Sequence, residues 1–210
     1  MAMDKFGNKG LIVKRIGFYG GRFNPIHYAH LNLAQTAVEV LHLDRVIFMP
    51  SGGQACYKTE DDVVPGIRRL EMVRLAIASN PCFEASSYEV DRKEFCYTID
   101  TLRQLRDKQL VGNEIYLLVG GDWLNKITHW KEGDKLLQEF NVAVFSRPGE
   151  EDTPRMGTIT QAKNIRYFPM PLIDISSSLI RERVGKGLPI QYLTPEPVCR
   201  YIEERELYKG

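Results

Sequence analysis

Short apolar runs rich in β-branched and aromatic residues alternate along this chain with longer segments of helical period. The predicted strands are Ile12–Tyr19, Arg45–Pro50, Phe83–Val90, Glu114–Val119, Val142–Phe145 and Ile165–Phe168. The predicted helices are Leu31–Leu43, Ile67–Ser79, Tyr97–Lys108, Lys135–Phe140, Ser176–Gly185 and Pro195–Glu206. This alternation predicts an α/β fold, a Rossmann-like doubly wound parallel sheet with helices on both faces. Ligands of such sheets bind beyond the carboxyl ends of the strands, so we expect a functional site on that rim.

Length and charge limit the possible partners. The 210 residues predict one domain, residues 1–210, with a helical C-terminal part from about residue 174. The 28 basic and 27 acidic residues give a formal net charge of +1. Because that balance provides no extended positive field, we do not expect nucleic acid as a partner.

The cysteines and the N-terminal segment indicate the compartment. The four cysteines stand far apart, with no Cys-x-x-Cys pair and no zinc-like spacing, and they are Cys56, Cys82, Cys96 and Cys199. We therefore expect free thiols in a reducing compartment. Residues 1–14 are polar and charged rather than a long apolar stretch, so we expect a cytoplasmic protein that does not associate with membranes.

The first motif follows the first predicted strand and reads Gly-Gly-Arg-Phe-Asn-Pro-Ile-His-Tyr-Ala-His, residues 20–30. Gly20 and Gly21 allow close approach of the backbone, and the start of a helix offers unpaired N–H groups. His27 and His30 are three residues apart, so one helical turn can direct both at one phosphate. A metal pair is the alternative, although no nearby residue completes a ligand set.

The second motif, near the end of the chain, reads Asp-Ile-Ser-Ser-Ser-Leu-Ile-Arg, residues 174–181. The serines Ser176 to Ser178 fit the start of a helix, where hydroxyl and backbone N–H groups meet an anion. Arg181 follows one turn later and can bind a phosphate through two N–H groups. An ordinary serine cap with an exposed arginine is the alternative interpretation.

Together, the two motifs closely resemble those of nucleotidyltransferases that carry His-x-Gly-His near the start and Ile-Ser-Ser-x-x-Ile-Arg near the end. Within that superfamily the chain is most similar to the bacterial nicotinate-nucleotide adenylyltransferases. Further segments follow in the order of that family, and they are Arg69–Met72, Tyr97–Leu102, Gly120–Asp122, Trp130 and Arg147–Gly149. The similarity runs from about Ile16 to Glu203, nearly the whole chain.

The resemblance implies that nicotinate mononucleotide and ATP react to give nicotinate adenine dinucleotide and pyrophosphate. It implies that His27, His30 and Arg181 act on the ATP phosphates. The remaining ATP contacts that it implies are Gly20, Gly21, Phe23, Ile175, Ser176, Ser177 and Ser178. A Mg²⁺ ion bound largely through ATP oxygens and water would share the charge.

The resemblance also implies a pocket for the pyridine mononucleotide. Trp130 would stack on the pyridine ring, and the backbone N–H groups of Thr98 and Lys131 would receive the nicotinate carboxylate. Asp122 would accept hydrogen bonds from a ribose. Lys58 and Arg147 are further expected phosphate or substrate contacts.

The chain departs from the family pattern at several positions. The family usually has Ser or Thr at Arg22, Asp at Asn24 and Gly at Ala29. We expect Arg22 to face solvent, and Asn24 to keep a capping geometry without the negative charge. In the loop usually written Pro-Pro-His-Lys, Tyr57 replaces the histidine, which puts one substrate contact in doubt.

Other functions remain open at this point. One is an adenylyltransferase that prefers nicotinamide mononucleotide, and another is the shorter phosphopantetheine enzyme, which lacks the segments around Tyr97 and Trp130. A non-catalytic nucleotide sensor of the same fold is a third. A tRNA-synthetase fragment is disfavoured because no basic or anticodon-binding extension is present. The sequence is compatible with a homo-oligomer.

Overall fold

The computed structural model describes residues 13–52, 64–121, 126–146, 164–171 and 173–209. Its strands are β1 (Arg15–Gly21), β2 (Arg45–Pro50), β3 (Phe83–Ala85), β4 (Glu114–Gly120), β5 (Asn141–Ser146) and β6 (Ile165–Pro169). Its named α-helices are α1 (Tyr28–Leu41), α2 (Gly66–Ile77), α3 (Thr98–Gln104), α4 (Gly133–Glu139), α5 (Ser177–Gly185) and α6 (Glu196–Glu204). A π-helical segment, Leu105–Gln109, continues α3.

The six strands form one sheet in the order β3-β2-β1-β4-β5-β6, and every neighbouring pair is parallel. The chain first winds outward from β1 to β3 and then returns to place β4 on the other side of β1. The predicted doubly wound fold is therefore confirmed. The switch in winding direction falls between β1 and β4, and sheets of this type bind their ligands at the carboxyl ends of the strands beside that switch.

The alternation of side chains along β4 shows how both faces of the sheet are buried. Ile115, Leu117 and Val119 enter one core cluster, which α3 and α4 cover. Tyr116 and Leu118 point to the opposite cluster, which α1, α2, α5 and α6 cover. Because the strands β1, β2, β4 and β5 are buried on both faces, these segments read as continuous hydrophobic runs in the sequence.

Several predicted boundaries differ from the structure, including the start of α1, the end of β3 and the end of α3. Helix α1 begins at Tyr28 rather than at Leu31, so the second histidine of the first motif lies inside the helix. The run from Phe83 leaves the sheet after Ala85, because it is an edge strand paired on one side only, with β2. The third predicted helix is α-helical only to Gln104 before its π-helical continuation.

None of the helices within the described residues is both long and apolar enough to cross a membrane.

Gly133, the first residue of α4, provides a test of the packing on the α3 and α4 face. A Cβ at this position would lie 2.1 Å from the carbonyl oxygen of Ile127, a backbone atom that cannot move aside. We expect Gly133→Ala to lower the free energy of unfolding by about 1–3 kcal/mol through overpacking. Chemical denaturation measures the change directly.

Gly185→Ala is the matched control, because a Cβ there would meet only the carbonyl oxygen of Tyr208, at 3.7 Å. Replacing a helical glycine by alanine in open space should leave stability unchanged or raise it by up to about 1 kcal/mol. Equal unfolding free energies for the two variants would contradict the packing described for Gly133.

Candidate active site

The backbone after β1 turns sharply at the rim of the sheet. Its left-handed residue is Phe23, with a φ of 49°, rather than either glycine of the motif. A Cβ on Gly21 would lie 3.1 Å from the Phe23 ring, so the missing side chain makes room for that ring. The Phe23 ring is buried and lies 5.0 Å from the imidazole of His30, centroid to centroid. The side chain of Phe23 therefore supports His30 from the core.

His27 and His30 form a stacked pair at the start of α1. The two ring centroids are 3.6 Å apart with an interplanar angle of 27°. His27 is the N-cap of the helix, and its backbone N–H donates to His30 Nδ1 at 3.2 Å. A neutral His30 that accepts at Nδ1 carries its proton on Nε2, which is then a hydrogen-bond donor. The prediction that both rings face one place is consistent with this geometry.

Both imidazoles are held in the neutral form. Burial lowers the pKa of His27 to about 4, and its Nδ1 is buried without a hydrogen-bond partner among the described residues. Burial also moves the pKa of His30 well below its usual value, and the neighbouring His27 acts in the same direction. A negatively charged group placed against the pair would reverse this shift, because opposite charge favours the imidazolium.

The second motif meets the first across more than 150 positions of sequence. Ser177 Oγ donates to the carbonyl oxygen of Pro25 at 2.8 Å, and the contact spans 152 positions. Arg181 Nη1 donates to the carbonyl oxygen of Asn24 at 3.0 Å, a span of 157 positions. The start of α5 is therefore bonded to the loop that leads into the imidazole pair.

The three serines of that motif have different environments. Ser176 is the N-cap of α5, and its Oγ accepts from the N–H of Leu179 at 3.1 Å. The hydroxyl of Ser177 donates its hydrogen bond to the carbonyl oxygen of Pro25. Ser178 is exposed, and its Oγ lies 3.5 Å from Arg181 Nη2. Ile175 packs against the core. The serine-cap interpretation thus holds for Ser176 without removing α5 from the rim.

A second group of candidate residues lies where α3 begins. Thr98 is the first residue of α3, so its backbone N–H has no acceptor inside the helix. Lys131 Nζ binds Asp100 Oδ2 at 2.9 Å and lies 4.4 Å from the centroid of the Tyr97 ring. Trp130 is half-buried and packs against the core cluster below α3. The turn at Trp130 and the start of α3 are therefore neighbours.

Four residues considered in the sequence analysis, Tyr57, Lys58, Asp122 and Arg147, lie outside the described residues. Arg22 is half-buried rather than fully exposed to solvent. Asn24 caps no helix, because His27 takes the N-cap position of α1. The Asn24 side chain instead accepts a hydrogen bond from Tyr208, which corrects the capping expectation.

Sequence reasoning placed Arg69 in the family pattern but missed its structural position. Its guanidinium is 1% exposed and donates to three backbone carbonyls, those of Arg22 and Ser51 at 2.6 Å each and of Val64 at 3.1 Å. These carbonyls follow β1, follow β2 and precede α2. Arg69 thus fixes the segments around the rim relative to one another.

Glu89 is a second residue that the sequence did not single out. Its buried carboxyl accepts from Thr101 Oγ1 at 2.8 Å and from the backbone N–H of Gly52. Burial raises its pKa to about 7, although these hydrogen bonds oppose the shift. Glu89 joins the rim after β2 to α3, and an isolated glutamate in a loop gives no sequence signal of that role.

A doubly wound sheet with imidazoles, a guanidinium and a helix N-terminus around one loop of its rim is typical of nucleotide-binding α/β proteins. The model of the Cytidylyltransferase-like family matches residues 18–183. Probable nicotinate-nucleotide adenylyltransferases are similar over nearly the whole chain. That of Roseiflexus sp. (strain RS-1) is 42% identical over 197 residues, 92% of this chain and 98% of the relative. That of Thermoanaerobacter sp. (strain X514) is 38% identical over 200 residues, 93% and 94% of the two chains.

These matches show that the chain belongs to the nicotinate-nucleotide adenylyltransferase family of cytidylyltransferase-like proteins. The fold is also that of Plasmodium falciparum nicotinic acid mononucleotide adenylyltransferase solved with NaAD. The TM-score is 0.76 at 20% identity, with 93% of this chain and 97% of that chain covered.

The raised pKa of Glu89 gives a pH-dependent prediction. The carboxyl stays protonated up to about pH 7 in the folded chain, whereas it ionises near pH 4.5 in the unfolded chain. The free energy of unfolding therefore falls as the pH rises from 4.5 to 7. Glutamine cannot ionise. As the pH rises from 4.5 to 8, we expect the free energy of unfolding of Glu89→Gln to increase by up to about 3 kcal/mol relative to that of the original chain.

Urea unfolding of both proteins at several pH values measures this difference. All other titrating groups are shared, so subtraction isolates position 89. A difference in unfolding free energy that stays constant across the range would show that the Glu89 carboxyl ionises at its ordinary pKa.

Proposed function

We propose that this protein transfers the adenylyl group of ATP to nicotinate mononucleotide, giving nicotinate adenine dinucleotide and pyrophosphate in NAD biosynthesis. A phosphate oxygen of the mononucleotide attacks the α-phosphorus of ATP, and the bond from that phosphorus to the bridging oxygen of the β-phosphate breaks. The substrate supplies the nucleophile. The protein must therefore position two anions in line and offset their charge.

The observation that carries this proposal is that Ser177 and Arg181 bond to Pro25 and Asn24, on the loop that leads into the stacked pair of His27 and His30. In the proposal, His27 and His30 contact the ATP phosphates, and Arg181 with Ser176, Ser177 and Ser178 holds the β- and γ-phosphates. The backbone N–H groups of Ser177 and Ser178, the first two of α5, have no acceptors within the helix and suit phosphate oxygens. Gly20, Gly21 and the backbone at Phe23 and Ile175 complete the ATP contacts.

The neutral state of the imidazole pair suits this role. Two stacked imidazolium rings would repel each other, so the pair stays neutral until an anion arrives. The triphosphate raises the pKa of both rings, and a proton taken up there offsets charge that develops on the leaving pyrophosphate. The protein thus presents positive charge where and when the anion is bound.

The pyridine end of the site is proposed to lie at Trp130 and the start of α3. Trp130 would stack on the pyridine ring, and the backbone N–H groups of Thr98 and Lys131 would receive the carboxylate. Because Lys131 Nζ is engaged by Asp100, that carboxylate would meet neutral donors. Such donors favour an acid over an amide, whose own NH₂ would face them. Asp122, Lys58 and Arg147 are proposed as further substrate contacts.

A Mg²⁺ ion is proposed to arrive on ATP, held by phosphate oxygens and water. Mg²⁺ prefers oxygen ligands, whereas the described side chains at the rim are chiefly imidazoles and a guanidinium, which suit the phosphates around the ion. Among the described residues, no group of three or more His, Cys, Asp or Glu could hold a metal. When bound, the ion would neutralise part of the triphosphate charge.

The proposal takes residues 1–210 as one nucleotidyltransferase domain, whose C-terminal part from about residue 174 supplies Arg181. It places the enzyme in a reducing cytoplasm, which fits the free thiols Cys82, Cys96 and Cys199. A homo-oligomer is compatible with this arrangement.

Pyrophosphate release from purified protein tests the proposal, with ATP and Mg²⁺ and each mononucleotide offered separately. We expect release with nicotinate mononucleotide well above that with nicotinamide mononucleotide. Faster turnover of the amide would identify the alternative adenylyltransferase. ATP binding without turnover of any mononucleotide or of phosphopantetheine would identify a nucleotide sensor.

We expect His30→Ala to lower turnover by about 100-fold or more while the fold survives, because a donor to the transition-state charge is lost. The matched control is His42→Ala at the other end of α1, where the imidazole is exposed. Initial rates at saturating ATP and mononucleotide measure the effect. Near-normal turnover of His30→Ala would remove this residue from the mechanism.

We expect Trp130→Ala mainly to weaken binding of the mononucleotide, by about 10-fold for loss of an aromatic stacking partner, with little change for ATP. Calorimetry with each ligand separately measures both affinities. An equal loss of both affinities would show that Trp130 only supports the fold.

A further inference from the structure

Tyr208, the third residue from the end of the chain, reaches the loop between β1 and α1. Its hydroxyl donates to Asn24 Oδ1 at 2.8 Å, a contact that spans 184 positions of sequence. Asn24 is 3% exposed, and Tyr208 with Leu207 packs against the core cluster on that face of the sheet. The phenol of the half-buried Tyr208 is thus a donor to the loop that leads into the histidine pair.

Asn24 is the point at which three distant segments are bonded to this loop. Its carbonyl oxygen accepts from Arg181 at 3.0 Å, and its Oδ1 also accepts from the N–H of Val64 at 3.4 Å. Three residues later, the backbone N–H of His27 donates to His30 Nδ1. A displacement of Asn24 therefore moves the backbone that orients both imidazoles.

The end of the chain adopts a costly backbone conformation to make this contact. Glu206 and Tyr208 are left-handed, with φ of 51° and 62°. Each such residue costs about 1–2 kcal/mol when it is not glycine. Burial raises the pKa of the Tyr208 phenol, so it remains protonated and a donor at neutral pH. The contact with Asn24 is one of the interactions that offset the cost.

We propose that Tyr208 is a positioning residue for adenylyl transfer, whose hydroxyl fixes Asn24 and thereby the direction of His27 and His30. The inference rests on the proposed function, because it concerns how the two imidazole rings are oriented towards the ATP phosphates. In this proposal Tyr208 acts on Asn24 and does not touch the substrate. Its effect reaches the phosphates through the loop of residues 24–27.

Steady-state kinetics of Tyr208→Phe provide the first test. The variant keeps the ring and its packing but loses the hydroxyl that donates to Asn24, so Asn24 and the two imidazole rings are held less firmly in position. We expect kcat to fall about 10-fold while KM for ATP stays within about twofold, because small misalignments cost most in the transition state. Unchanged kcat would overturn the proposal.

Tyr201→Phe is the matched control in the same C-terminal region. The hydroxyl of Tyr201 donates to Glu71 and accepts from Arg68 at 3.1 Å, so it bonds to α2 and not to the loop at Asn24. We expect this variant to lose stability without loss of kcat. An equal fall of kcat in both variants would show that Tyr208 acts only through stability.

A double-variant cycle tests the path through Asn24. If Tyr208 acts through that side chain, adding Tyr208→Phe to Asn24→Ala should change kcat by less than about twofold. If the two effects multiply, Tyr208 does not act through Asn24 and the proposal fails.

A spectroscopic readout decides the matter independently of turnover. NMR of ¹⁵N-labelled histidine in the ligand-free chain reports the ring nitrogens of His27 and His30. We expect these signals to shift in Tyr208→Phe and to stay in place in Tyr201→Phe. Unshifted signals in Tyr208→Phe would overturn the inference, whereas an original chain inactive towards every mononucleotide would overturn the proposed function alone.

Discussion

The arrangement of the rim depends on the hydrogen bonds that the buried guanidinium of Arg69 donates to backbone carbonyls. A cation removed from water needs its N–H groups satisfied, and Arg69 satisfies them on backbone carbonyls of three separate segments. Burial lowers the pKa of Arg69, yet an arginine remains charged under all physiological conditions. Its hydrogen bonds are therefore strong and permanent. They hold the segments after β1 and β2 together.

Preorganisation of this kind explains why the histidines can be kept neutral. Burial of the two imidazoles disfavours their charged form, because an imidazolium loses solvation in the core. The rings Tyr19 and Phe23 form the wall against which His30 rests. In the proposed function, phosphates bound beside this wall would form stronger hydrogen bonds because of its lower dielectric. The same buried rings thus pack against His30 and, by burying it, keep it neutral.

Much of the architecture is readable from local pattern. β2 falls on the predicted residues because an apolar run between a helix and a loop leaves little choice of register. The fold class follows from the alternation of such runs with helical segments. The beginning of α1 differs from the prediction by three residues, since its N-cap is a histidine, which is not one of the residue types that usually cap a helix. The short β3 was overestimated because a sheet edge ends where its partner's hydrogen bonds end.

The amino-acid sequence by itself determined the strand and helix order, the two motifs and the chemistry that their residue types favour. It placed His27 and Arg181 in one site only by resemblance, because contacts across more than 150 positions leave no local pattern. The tertiary structure alone decided that Ser177 and Arg181 bond to the loop before His27, that Arg69 and Glu89 fix the rim, and that Tyr208 returns to Asn24. The physical reason is that hydrogen bonding and burial depend on which distant segments the sheet brings together, and spacing along the chain does not record this.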